Sequence, residues 1–248
     1  NQEVIDGEDI RPVIVNVGNF AKPAADKPSL LSLDNVETLF HEFGHALHGL
    51  LSQCTYKSVS GTSVARDFVE LPSQIMENWA FQKEVLADYA RHYETGEVIP
   101  DSLVAKIEAA ANFNQGFMTT ELAAASILDM KWHELTSAEG LDPMAFEKAA
   151  CEEMGLIDEI IPRYRSTYFA HIFSGGYSAG YYSYLWAEVL DKDAFELFMQ
   201  KGIFDKETAM SFRRNVLEKG GSDEPMDLYR RFRGADPDAG ALLRGRGL

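Results

Sequence analysis

The sequence is short of cationic residues, of cysteine and of long apolar runs, and each shortage narrows what the chain can be. Against 39 Asp and Glu stand 23 Lys and Arg, a formal net charge of −16 at pH 7. A surface with that balance repels phosphate backbones and anionic headgroups, so neither nucleic acid nor a membrane is expected as a partner. Two cysteines, Cys54 and Cys151, are too few for a disulfide framework and lack Cys-x-x-Cys spacing, so free thiols and a cytoplasmic location are expected. No stretch approaches the roughly 20 apolar residues needed to cross a bilayer. No basic-then-apolar leader argues for secretion. The first residue is Asn1 rather than Met, which suggests a processed or partial reading frame.

What is present is an ordinary globular composition, 46% hydrophobic and 25% charged over 248 residues, enough to bury a sizeable core. Apolar residues recur mostly at helical spacing, with no internal repeat and no low-complexity linker. The expectation is one mainly α domain over residues 1–248 with a small β element. Residues 1–10 read as an acidic loop. Arg11–Asn16 is β-branched and reads as a strand that Pro12 confines to an edge or a strand start. Its partner would be the Tyr56–Val64 stretch, read as a short strand or hairpin, or strands preceding Asn1. Helices are expected over about 35–53, from Asp67 or Val69 to Trp79, and over 101–112, 115–137, 143–154, 177–190, 193–201, 205–219 and 224–233. A further short helix is expected in the tail, and 162–178 reads as an aromatic loop.

The stretch that carries chemistry is His41-Glu42-Phe43-Gly44-His45-Ala46-Leu47-His48. Residues four apart in a helix lie one turn apart on one face, so His41 and His45 can direct two imidazoles at one metal ion. Glu42 is rotated by about 100° from His41. It can flank the water that such an ion activates without being a ligand, which is the place of a general base. Asp34 reads as the N-cap of this helix, with Glu37 completing a capping box. Glu37, one turn before His41, could instead accept the outer N–H of that ligand. His48 reads as a packed or hydrogen-bonded histidine rather than a ligand.

Two histidines need a third protein ligand. Glu70 and Glu77 are the candidates, seven residues apart and so on roughly one helix face; the spacing does not choose between them. Asp67 is either a helix N-cap or an outer partner of the ligands. Arg163 and Arg165 are candidates for holding a peptide carboxylate, since guanidinium binds carboxylate bidentately, or else form surface ion pairs. Tyr177, Tyr181 and Tyr184, at i, i+4 and i+7, would share one helix face.

The run from His41 to His48, followed by Asp67-Phe68-Val69-Glu70-Leu71-Pro72-Ser73-Gln74, resembles the thimet oligopeptidase family of zinc peptidases, and within it the bacterial peptidyl-dipeptidase branch. Arg11-Pro12-Val13-Ile14, Pro162-Arg163-Tyr164-Arg165-Ser166, His171 to Tyr177 and Tyr181 to Trp186 extend the resemblance over essentially the whole chain. It implies a zincin-like helical catalytic domain with its β element near the metal site, and one Zn²⁺ held by His41, His45 and Glu70. It also implies that His171, Tyr177, Tyr181 and Tyr184 face an oligopeptide substrate, with Tyr181 donating to the oxyanion and His171 or Tyr184 helping it as a catalytic partner. The Ser174-Gly175-Gly176 loop would be mobile and close over the peptide. Family members are far longer, so the chain corresponds to their C-terminal catalytic part, without the helical half that precedes it. The expected activity is zinc-dependent peptide hydrolysis releasing C-terminal dipeptides. The alternatives are an endo-acting oligopeptidase and a zinc-binding domain without independent activity. Self-association through the face left by the absent half is a further expectation.

Overall fold

The first ten residues turn back on themselves. Asp6 and Gly7 both take positive φ, 50° and 85°, the two-residue turn that suits the twist of a hairpin. In the computed structural model, which describes residues 1–247, β1 (Glu3–Ile5) and β2 (Glu8–Ile10) pair antiparallel, with Val4 opposite Asp9. The acidic-loop reading of residues 1–10 is therefore replaced by a hairpin, and the Asp-Gly pair was its signal. Residues 11–16, expected as a strand, make no ladder among the described residues. The reason lies in the proposed partner: residues 57–59 form one tight 3₁₀ turn, which offers no strand edge. Ile14 still packs inward, within 2.5 Å of where a Cβ on Gly49 would lie.

The helices follow in the order α1 (Leu33–Leu50), α2 (Leu71–Ala80), α3 (Lys83–Tyr89), α4 (Asp101–Ala110), α5 (Gln115–His133), α6 (Pro143–Glu153), α7 (Ala170–Phe173), α8 (Ser183–Lys201), α9 (Lys206–Phe212), α10 (Pro225–Arg233) and α11 (Ala239–Gly245). A π-helical turn, Arg213–Leu217, continues α9. The mainly α architecture with one small sheet is as the sequence implies. Two boundaries differ. The expected helices 177–190 and 193–201 are one helix, α8, because no glycine or proline interrupts residues 183–201. That helix begins only at Ser183, because Ala179 adopts a left-handed conformation (φ 51°) that ends any earlier start.

The chain divides into two compact units, Asn1–Ala111 with Ala187–Leu248, and Asn112–Trp186. In the first, Leu71, Ile75, Leu190, Val216, Leu228 and Tyr229 are fully buried. Tyr229 donates its hydroxyl to Asp193 (2.6 Å), and Arg233 grips the same carboxylate at 3.0 and 3.1 Å. In the second, Ala125, Phe169, Ile172 and Tyr181 make the core.

The pairing of α1 with α2 positions the histidines. Ser32 rather than Asp34 caps α1, its hydroxyl accepting from the Asn35 N–H at 3.2 Å. The helix thus starts two residues earlier than the capping-box reading required. Leu39, Phe43 and Leu50 are exposed, at 43%, 48% and 43%, while the buried face runs through Gly44, Ala46, His48 and Gly49. That choice of face is explained by how closely α2 approaches. A Cβ on Gly44 would lie 2.2 Å from the Pro72 carbonyl oxygen and 2.6 Å from Ser73 Cα, so both contacts are to backbone that cannot swing away. Gly44→Ala should therefore cost about 3 kcal/mol, read as a lower denaturation midpoint in urea; an unchanged midpoint would show that the two helices can part without loss.

Candidate metal centre

His41 and His45 project from the middle of α1, one turn apart, their rings edge to face with centroids 4.9 Å apart. The next segment, Arg66–Phe68, makes one 3₁₀ turn that brings the chain back to this face. Glu70 is the last residue before α2, and Pro72 occupies the first turn, where its missing N–H costs nothing. The Glu70 carboxylate sits at the positive end of α2, where a negative charge is favoured. It is 2% exposed. Its Oε2 lies 3.3 Å from His41 Nε2 and 3.2 Å from His45 Nε2, and it accepts the Ser73 hydroxyl at 2.7 Å.

One ligand atom from each of His41, His45 and Glu70 thus gathers within 4.8 Å of the others. Two imidazole nitrogens and a carboxylate oxygen, converging from one side, are a donor set for a divalent cation. The electrostatics point the same way. Burial alone would push His41 down, yet hydrogen bonds to Glu70 and Glu77 carry it up to about 10. The cluster is anionic enough to hold a proton on an imidazole far above neutrality, so positive charge belongs at this point. A divalent cation would supply that charge.

Glu77 is not beside the donor atoms. It accepts the outer Nδ1–H of His41 at 2.6 Å, fixing which imidazole nitrogen faces the ligand cluster. Glu37, suggested for that partnership by its spacing, does not make the bond. Burial and the neighbouring charge of Glu77 instead raise its carboxyl above the usual range. Asp67 lies within the 3₁₀ turn and does not cap α2. His48 is packed, fully buried, and burial pushes its pKa down to about 3, so it is neutral. Glu42 lines a cleft of about 210 Å³ together with His45, Ala46, Ile14, Val15, Asn16 and Gly61, beside the metal-ligand set and part of its own unit.

The second group of candidates lies in the second unit and forms its own cluster. His171 has the rings of Tyr164, Tyr181, Tyr177 and Tyr184 around it, with centroids at 4.7, 5.6, 6.1 and 6.4 Å. Tyr177 and Tyr184 stack at 5.2 Å. The shared helix face inferred from i, i+4, i+7 spacing is not what assembles them, since Tyr177 and Tyr181 precede α8. A turn does it instead. Burial keeps the Tyr181 phenol above its usual range, against the pull of the Arg163 charge, so the group is a proton donor at neutral pH. Tyr164 was missed as a cluster member; the Pro-Arg-Tyr-Arg run around it was the available signal.

Gly175 and Gly176 follow α7 directly. A Cβ on Gly175 would meet the His171 backbone at 2.9 Å, and its N–H donates to the Ala170 carbonyl at 2.7 Å. Tyr177 N–H donates to the His171 carbonyl at 2.9 Å. The loop expected to be mobile is therefore stitched to the end of α7. Arg165 pairs with the buried Glu147, which also accepts the Ser166 N–H at 2.6 Å, so this arginine is committed to the fold. Arg163 makes no ion pair among the described residues and lies 5.7 Å over the Tyr164 ring.

This chain belongs to peptidase family M3, whose model matches residues 2–248. It is 48% identical over 240 residues to the dipeptidyl carboxypeptidase of Escherichia coli strain K12, an overlap of 96% of this chain and 35% of that protein. It is 44% identical over 253 residues to oligopeptidase A of the same strain, an overlap of 98% and 36%. A thimet-like oligopeptidase of Dictyostelium discoideum is 35% identical over 248 residues, covering 99% of this chain and 37% of that protein. The chain thus spans about a third of the length of the curated relatives it matches. No helix among the described residues is long and apolar enough to cross a membrane.

A metal ion must displace the His41 proton to bind, because the ligand is the neutral imidazole. In the metal-free protein that proton is held up to about pH 10, so apparent affinity should rise with pH throughout the neutral range. We expect binding about tenfold tighter at pH 8 than at pH 7. Glu77→Gln should weaken binding by about 10- to 100-fold at either pH. A chelator-competition titration checks both, and an affinity indifferent to pH and to Glu77 would contradict this account of the cluster.

Proposed function

We propose that the chain is the metal-bearing catalytic part of a zinc-dependent peptidase that hydrolyses oligopeptides and releases C-terminal dipeptides, and that it works in the cytoplasm. The observation that carries this is the gathering of His41, His45 and Glu70 ligand atoms beside Glu42. Zinc is the metal favoured by two imidazoles and one carboxylate. The chemistry it supplies in such a set is polarisation of a carbonyl and acidification of water.

The rest falls to the protein's own side chains. Glu42, next to His41 in sequence and free of the ligand cluster, accepts a proton from the attacking water and delivers it to the leaving amine. Glu77 holds His41 in the tautomer a ligand requires. Tyr181, a neutral phenol, donates to the developing oxyanion, a role worth about 3–4 kcal/mol where single donors have been removed from enzymes. His171 or Tyr184 assists Tyr181 at the oxyanion, and Tyr177 and Tyr184 line the substrate, with Gly175 and Gly176 shaping the backbone between them. Arg163, with no ion pair among the described residues, holds the terminal carboxylate and makes the enzyme exo-acting.

The relatives' names divide between dipeptidyl carboxypeptidase and oligopeptidase A, so an endo-acting enzyme is the alternative to test. A further reading is a zinc-binding domain that needs more polypeptide for activity. Its support is the third-length overlap and an apolar groove of about 910 Å³ lined by Leu30, Leu31, Leu33, Leu39, Tyr89 and Leu103, of which Leu30 is 61% exposed. Surface of that kind favours self-association; a strictly monomeric species by light scattering at high concentration would count against it.

Glu42→Gln should retain one equivalent of zinc while turnover falls by at least about 10²-fold. Assayed with a free-acid peptide and its C-terminal amide, the unaltered chain should cleave only the acid. Undiminished turnover in Glu42→Gln would sink the mechanism, and equal cleavage of both peptides would sink the exo reading.

A further inference from the structure

Asp129 is fully buried and has no part in the chemistry described so far. It lies in α5, one turn after Ala125. A carboxylate taken out of water needs hydrogen bonds to offset its desolvation, and this one receives them from the aromatic turn. Its Oδ1 accepts the Ala179 N–H at 2.9 Å, and its Oδ2 accepts the Tyr181 N–H at 2.8 Å. His133 Nδ1, one turn further along α5, lies 2.8 Å from Oδ1.

These bonds fall where the chain needs holding. Ala179 is left-handed at φ 51° without being glycine, an uncommon conformation that persists only when its surroundings fix it. The turn is closed by the Gly180 N–H donating to the Tyr177 carbonyl at 2.9 Å. Tyr181 then leaves the turn and enters the buried cluster it forms with Ala125, Phe169 and Ile172. Asp129 therefore holds Tyr181 by its backbone N–H, while the ring meets Phe169 edge to face with centroids 5.0 Å apart.

We infer that Asp129 is a positioning residue, its two carboxylate oxygens forking the backbone N–H groups of Ala179 and Tyr181 so that the Tyr181 phenol is presented in one fixed place. The inference rests on the oxyanion role proposed for Tyr181. An apolar residue would fill the same volume without desolvating a charge, but it would leave the two N–H groups without acceptors and the turn without a register. Asp129 is thus the specific element of the turn, and its effect on catalysis is exerted through Tyr181.

The test is native-state hydrogen exchange on the full chain, followed residue by residue. In the unaltered protein the amides of Ala179 and Tyr181 should be protected well beyond that of Ser178 in the same turn. In Asp129→Asn they should exchange at least about tenfold faster, while α6 amides keep their rates. Protection at Ala179 and Tyr181 no greater than at Ser178 overturns the inference even if the variant does not fold, and so do unchanged rates in a folded variant. Turnover supplies the second arm. Tyr181→Phe and Asp129→Asn should each lower kcat, and combining them should add little to Tyr181→Phe alone, because both remove the same donor. Fully multiplicative losses would make Asp129 a general structural residue. A Tyr181→Phe variant with unaltered turnover would instead refute the oxyanion role, leaving exchange to decide what Asp129 holds.

Discussion

The contact between the Pro72 carbonyl and Gly44 is the constraint on which the metal centre depends. Two histidines one turn apart define a line along α1, but they do not define a site until a third ligand arrives from elsewhere. The third ligand comes from the residue just before a packed neighbouring helix, and that neighbour's backbone must come close enough for a carboxylate of two methylenes to reach. With no side chain at Gly44, α2 can lie against α1 at its N-terminal end, and Glu70 is then carried to both Nε2 atoms at nearly equal distance. Locally, the start of α2 gives Glu70 its Ser73 hydrogen bond and its position at the positive end of a helix dipole.

Around that contact the charges are arranged in layers. Glu70 is desolvated and touches the histidines; Glu77 stands behind His41; Glu37 is close enough to Glu77 for the two charges to oppose each other. Behind them Lys192 donates to the Asn78 side chain at 2.7 Å and lies 3.6 Å from the buried Asp191. Its own charge is upheld by Asp191, Glu188 and Glu77 against burial. An excess of carboxylate near the histidines, balanced by one partly exposed ammonium further out, leaves a net demand for positive charge at the ligand atoms. That demand is the physical basis for reading the cluster as a cation site.

Much of this was legible in the residues. The four-residue spacing of the histidines, the helix around them and the mainly α architecture all follow from periodicity. The choice of Glu70 over Glu77 did not. Spacing put both carboxylates on one helix face, but Glu70 precedes α2 and is not on its face at all; only the resemblance pointed to it. The capping box read at Asp34 and Glu37 lost to Ser32, two residues upstream, and moved Glu37 out of the role its spacing suggested. The tyrosines gather as expected but for a different reason. A left-handed Ala179 and a fork of hydrogen bonds from Asp129 do what a helix stripe was thought to do, and no period in the sequence reveals a long-range carboxylate-to-backbone bond. The β element was displaced for a local reason, since the Asp6-Gly7 turn pairs the strands on either side of it while residues 11–16 found no edge.

The most direct test of the central claim is where a metal sits. Anomalous scattering from crystals of the zinc-loaded chain should place the ion on His41, His45 and Glu70, with Glu77 still bonded to the far nitrogen of His41. An ion bound through Glu77 in place of Glu70, or no ion at the histidine pair, would contradict the account of how α1 and α2 build the site.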